Sequence, residues 1–81
     1  GVMYVQLLVT KMDFNRSNIE REFRDLGIRY NVQFAEDNPD LISAFNIRHS
    51  PNILIDGRLA FQYQPSESEL KRYFKQVGVL H

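Results

Sequence analysis

The residues able to do chemistry in this chain are few, and their spacing is unhelpful to catalysis. Cysteine is absent, which removes thiol nucleophiles, disulfides and thiolate metal sites together. His49 can titrate near neutrality and pass a proton, but no second ligand stands at metal-binding spacing from it. It reads as a surface histidine, and His81 reads as a frayed terminal residue. Ser17 has the hydroxyl of a nucleophile without an adjacent base, so a helix cap is its better reading. Asp13, Glu36, Asp37 and Asp40 match no pair that would run acid–base hydrolysis, and Asp37 and Asp40 suit the charge preference of a helix start. Lys11 sits between a strand and a helix, where backbone N–H groups also favour anions. It is either a carboxylate contact or a solvated lysine closing the strand. This inventory contains no catalytic group, no metal set and no cofactor motif.

Charge and hydropathy narrow the partners. Ten basic residues balance ten acidic ones, against the basic excess expected of a nucleic-acid or anionic-membrane binder. Arg16, Arg21 and Arg24, and likewise Lys71, Arg72 and Lys75, interleave with acids and read as solvated faces. A balanced charge also weakens repulsion between copies, which favours a homodimer. No apolar run approaches the ~20 residues of a membrane span, and no secretory leader pattern is present. The expected location is cytoplasmic.

The elements that position these residues are legible from local pattern. Residues 5–10 are apolar on both parities, as in a central strand buried on both faces. Ser17 and Glu20 have the spacing of a capping box, followed by Ile19, Phe23 and Leu26 at helical spacing and by Gly27 as a left-handed terminator. A helix over 16–26 follows. Tyr30, Val32 and Phe34 alternate with polar residues, predicting a strand over 28–34 with one wet face. Asn38 is placed to cap a short helix that has Pro39 in its first turn, Leu41, Ile42 and Phe45 on its apolar face, and an end near Asn46. Pro51 stands at the entrance of a strand over 52–55, and Asp56-Gly57 turns it into a strand over 58–62. Ser66 and Glu69 form a second capping box, ahead of Leu70, Tyr73, Phe74 and Val77. The order βαβαββα predicts one α/β domain over 1–81. It is a four-stranded mixed sheet with helices on both faces, in which the first two strands are parallel through a right-handed crossover.

That order, with Ser50-Pro51 ahead of Asn52-Ile53-Leu54-Ile55-Asp56-Gly57, resembles the thioredoxin/glutaredoxin superfamily. Thr10-Lys11 after the first strand and Leu26-Gly27-Ile28 before the second are similar to its small glutaredoxin-type members. The resemblance spans about residues 3–77. It implies a cis Pro51, a backbone at Ser50 that pairs with extended substrate, and a Lys11 that contacts a glutathione carboxylate. It also implies a cysteine motif where this chain has Met12-Asp13-Phe14-Asn15-Arg16-Ser17. No frame of that segment supplies a thiol, and disulfide exchange requires a thiolate. Phe61-Gln62-Tyr63-Gln64 replaces the paired glycines that let glutathione approach the backbone. The resemblance therefore implies a scaffold without its redox chemistry. Such a domain would be a peptide- or protein-binding module using a groove of Lys11, Met12, Asp13, Phe14, His49, Ser50 and Pro51. The alternative is a glutathione- or thiol-related protein that works through a residue other than cysteine. Phe61 and Tyr63 are candidates to crown that groove, with core packing the commoner fate of Phe61.

Overall fold

The computed structural model describes residues 3–78, so the expectation for His81 lies outside the described residues. The elements are β1 (Val5–Val9), α1 (Arg16–Asp25), β2 (Asn31–Phe34), a 3-10 turn (Ala35–Asp37), α2 (Pro39–Ala44), β3 (Asn52–Ile55), β4 (Arg58–Phe61) and α3 (Glu67–Gln76). The sheet order is β2-β1-β3-β4, with β1–β2 parallel and the β1–β3 and β3–β4 pairs antiparallel. This is the expected α/β mixed sheet with three helices, a layout compatible with the thioredoxin-like one.

Alternation along the strands decides what each face receives. Val5, Leu7 and Val9 share a core with Ile53 and Ile55, with Ile19 and Phe23 of α1, and with Leu70 and Phe74 of α3. The residues of opposite parity, Leu8 on β1 and Leu54 on β3, point to the other face, yet both are fully buried. With α1 and α3 on the first face, α2 and its half-buried Leu41, Ile42 and Phe45 are left to cover the second. This accounts for β1 being apolar on both parities: all five of its residues are buried. On β2, Asn31 is exposed and Val32 and Phe34 lean on the core.

Glycine and asparagine end the helices as their lack of steric penalty allows. Gly27 has φ 71°, and around it the Ile28 N–H reaches the Phe23 carbonyl and the Gly27 N–H the Arg24 carbonyl. Asn46 has φ 51° after α2, with the matching bonds from Ile47 to Ile42 and from Asn46 to Ser43. Asp56 and Gly57 have φ 50° and 77°, the doubly positive turn that suits a two-residue hairpin.

Three local expectations fail. The helix α1 starts at Arg16 with Asn15 at its N-cap and no side-chain cap bond. Ser17 therefore lies inside the first turn and does not cap. Glu20 is drawn away from the cap by Arg16 at 3.0 Å and by the Tyr30 hydroxyl at 2.7 Å. Asn38 makes no cap bond to α2, because its amide donates to the Phe34 carbonyl at 2.8 Å. The second strand is shorter than its alternation implies, since residues 28–30 lie before the paired segment.

Candidate functional site

Register places four connections at one end of the sheet. Val9 pairs with Phe34, Leu8 with Asn52, and Ile53 with Phe61. The segments 10–15, 35–37, 49–51 and 62–66 therefore leave the sheet at the same end, where β1 terminates. The Asp56-Gly57 hairpin and the approach to β2 lie at the opposite end.

The centre of the first end is a tie between Ser50 and Asp13. The Ser50 hydroxyl accepts the Thr10 N–H at 3.1 Å and donates to Asp13 Oδ2 at 2.5 Å. Asp13 Oδ1 accepts the Asn15 N–H at 2.9 Å. The Asp13 N–H reaches the Thr10 carbonyl, and the Asp13 carbonyl accepts the Arg16 N–H. Both oxygens of this carboxylate thus have internal donors, and its backbone is bonded on both sides. The peptide from Ser50 to Pro51 is cis. Pro51 is buried, while the preceding His49 is exposed and its carbonyl accepts the amide of buried Asn52 at 2.6 Å. The tie leaves Asp13 as a fixed structural acceptor and the Ser50 hydroxyl engaged on both its donor and acceptor sides.

Lys11 is held from three directions. Its N–H lies 3.1 and 3.2 Å from the two carboxylate oxygens of Glu36. Its ammonium pairs with Asp37 at 3.3 Å and lies 5.9 Å from the Phe34 ring centroid. The Arg16 guanidinium lies 5.1 Å from the same centroid, within the ~6 Å range of a cation–π contact. The pair of Lys11 and Asp37 is exposed on both sides and so is a weak surface contact.

The residues on either side of Asp13 face water. Met12 is 73% exposed and Phe14 is 88% exposed. An open groove of about 440 Å³ at this end is lined by Thr10, Ala35, Ile42, Ile47, His49 and Ser50 among others; of the expected groove residues only His49 and Ser50 line it, and Lys11, Met12, Asp13, Phe14 and Pro51 do not. Phe61 is not a crown for this groove. It is a core residue at 9% exposure, held edge-on against Tyr73. Tyr63 is exposed, and its hydroxyl donates to Glu69 at 2.8 Å.

The structure brings Lys11, Met12, Asp13, Phe14, His49, Ser50 and Pro51 to one end of the sheet and divides them by role. Asp13, Ser50 and the backbone of Lys11 are internal fastenings; Met12, Phe14 and His49 are offered to solvent. Sequence reasoning missed Glu36, Asp37 and Phe34 as the anchors of Lys11. Their only local signal was placement at the end of a strand expected to run parallel to β1. Among the described residues there is no group of three or more His, Asp or Glu able to hold a metal ion, and no helix is long and apolar enough to cross a membrane. No protein-family model matches the chain, and no curated protein matches it.

Proposed function

We propose that this chain is a thioredoxin-like domain without thiol redox chemistry, which binds a peptide or protein partner through the 10–15 and 49–51 loops. The observation that carries the reading is the exposure of Met12 and Phe14 on a loop whose neighbouring residues are fastened at Asp13 and Lys11. A large apolar side chain held in water by a fixed backbone has surface to gain from a partner and little ordering entropy to lose. Aromatic side chains on such a surface are the usual centres of binding energy. The groove that His49 and Ser50 line supplies apolar walls from Ala35, Ile42 and Ile47. The absence of cysteine removes disulfide exchange by this chain.

The test is a selection of extended peptides from a random library, followed by NMR titration of the chain with those recovered. Amide shifts are expected at residues 10–15 and 49–51. Phe14→Ser should weaken binding about 30-fold, the equivalent of ~2 kcal/mol for a central aromatic contact, with the spectrum otherwise intact. Glutathione should leave these amides unmoved. Shifts confined to the Asp56-Gly57 end, or undiminished binding by the Phe14 variant, would overturn the reading.

A further inference from the structure

Glu22, on α1, is a buried carboxylate whose chemistry disagrees with its surroundings. It lies one position from Phe23 and three from Ile19, both core residues that α1 shares with Leu70 and Phe74 of α3. Its exposure is 8%, and its Oε2 is buried with no hydrogen-bond partner. A buried carboxylate oxygen without a donor forfeits its hydration and receives nothing in return. The charges that face it deepen the conflict. Glu67, from the first turn of α3, repels it across the seam; Asp25 repels it along its own helix; Arg21 alone attracts it.

We propose that Glu22 makes the contact between α1 and α3 pH-responsive: a neutral carboxyl lets the seam close, and an ionised one loosens it. A protonated carboxyl removes both the desolvated charge and the repulsion from Glu67 while leaving the packing of Ile19, Phe23, Leu70 and Phe74 intact. Burial, and then Glu67, push the Glu22 carboxyl above the ordinary glutamate range, against the smaller pull of Arg21. The folded-state value is therefore higher than the unfolded one. The stabilisation from binding this proton is fully present below the unfolded value and is lost as pH rises through the folded one.

Glu69 has the opposite sign. The Tyr63 hydroxyl and the Ser66 N–H hold its carboxyl below the ordinary range, so its contribution is present above the unfolded value and disappears as pH falls through the folded one. The two effects occupy different windows. Glu22 contributes to the slope above the ordinary glutamate value and Glu69 below it.

Urea unfolding of the full chain and of Glu22→Gln, from pH 7.5 down to pH 5, tests the proposal. The wild-type midpoint is expected to rise on acidification across this window. Glu22→Gln should flatten that rise and raise the folded-to-unfolded ratio at pH 7.5 by roughly fivefold, the low end of what an unsatisfied buried polar group costs. Every other titratable group is common to both proteins and cancels in their difference. Glu67→Gln, at an exposed position, gives a second reading should the first variant fold poorly. It should raise the midpoint at pH 7.5 and shrink the acid rise. A wild-type midpoint that is level or falls between pH 7.5 and 5, a Glu22→Gln slope equal to wild type, or a Glu67→Gln variant indistinguishable from wild type would overturn the proposal.

Discussion

The helices α1 and α3 are each ten residues long, and each has a Ser-x-x-Glu tetrapeptide at its start, Ser17 to Glu20 and Ser66 to Glu69. At α3 the tetrapeptide does what its pattern says. The Ser66 hydroxyl accepts the Glu69 N–H at 3.1 Å, and the Glu69 carboxylate accepts the Ser66 N–H at 3.2 Å. At α1 it does not. The helix opens one residue before Ser17, and Glu20 turns to Arg16 and Tyr30. The difference lies in what surrounds each start. The beginning of α3 follows a segment whose one side-chain bond to the cap, from the Tyr63 hydroxyl, goes to the Glu69 oxygen that the cap leaves free. The beginning of α1 follows a loop already tied to the 49–51 segment by Asp13 and Ser50, and the Asp13 carbonyl and carboxylate take the N–H groups of Arg16 and Asn15. One helix is started by its own residues and the other by a contact between distant parts of the chain.

Four substitutions would break or sharpen that contrast. The largest effect should come from Ser50→Ala. It removes the donor to Asp13 and leaves the Thr10 N–H without its acceptor, so a loss of about 2–3 kcal/mol in urea unfolding is expected, in the range for charged and unsatisfied partners. A cycle with Asp13→Asn should show coupling of about 1 kcal/mol between the two sites. Additive losses would mean that the tie does not start α1. Ser66→Ala should cost about 1 kcal/mol, the usual price of a lost serine cap, with faster amide exchange confined to the first turn of α3. Ser17→Ala should be the mildest, within about 0.5 kcal/mol of wild type. A Ser17 loss as large as that at Ser66 would show that the two starts are alike after all.

Much of the architecture was open to sequence reasoning because its causes are local. The double-sided burial of β1 shows as apolar residues on both parities at residues 5–9, and Gly27, Asp56 and Gly57 are residue types that accept the positive φ their turns require. Phe23, Leu70 and Phe74 fall at helical spacing and do enter the core. The site was legible only as a location. Lys11, Asp13 and Ser50 are polar residues in loops, and nothing within a few positions of any of them states whether it will face a ligand or a neighbour. Asp37 stands in a helical first turn, as its residue type suggests, but its pairing with the Lys11 ammonium has no local signal. Glu22 falls on the boundary of the apolar stripe of α1, and only the arrival of α3 encloses it.

By itself the sequence determined the order of the elements, their turns, the double-sided burial of β1 and the exclusion of thiol chemistry, since each follows from residue types and from neighbours within a turn or a strand. Tertiary structure alone decided which polar groups became fastenings and which apolar groups stayed exposed. Ser50 is 37 positions from Asp13 and 40 from Thr10, and a hydrogen bond over that separation exists only after β3 has docked antiparallel to β1. Local pattern can propose a partner for a hydroxyl, but competition among all the partners brought near it makes the choice.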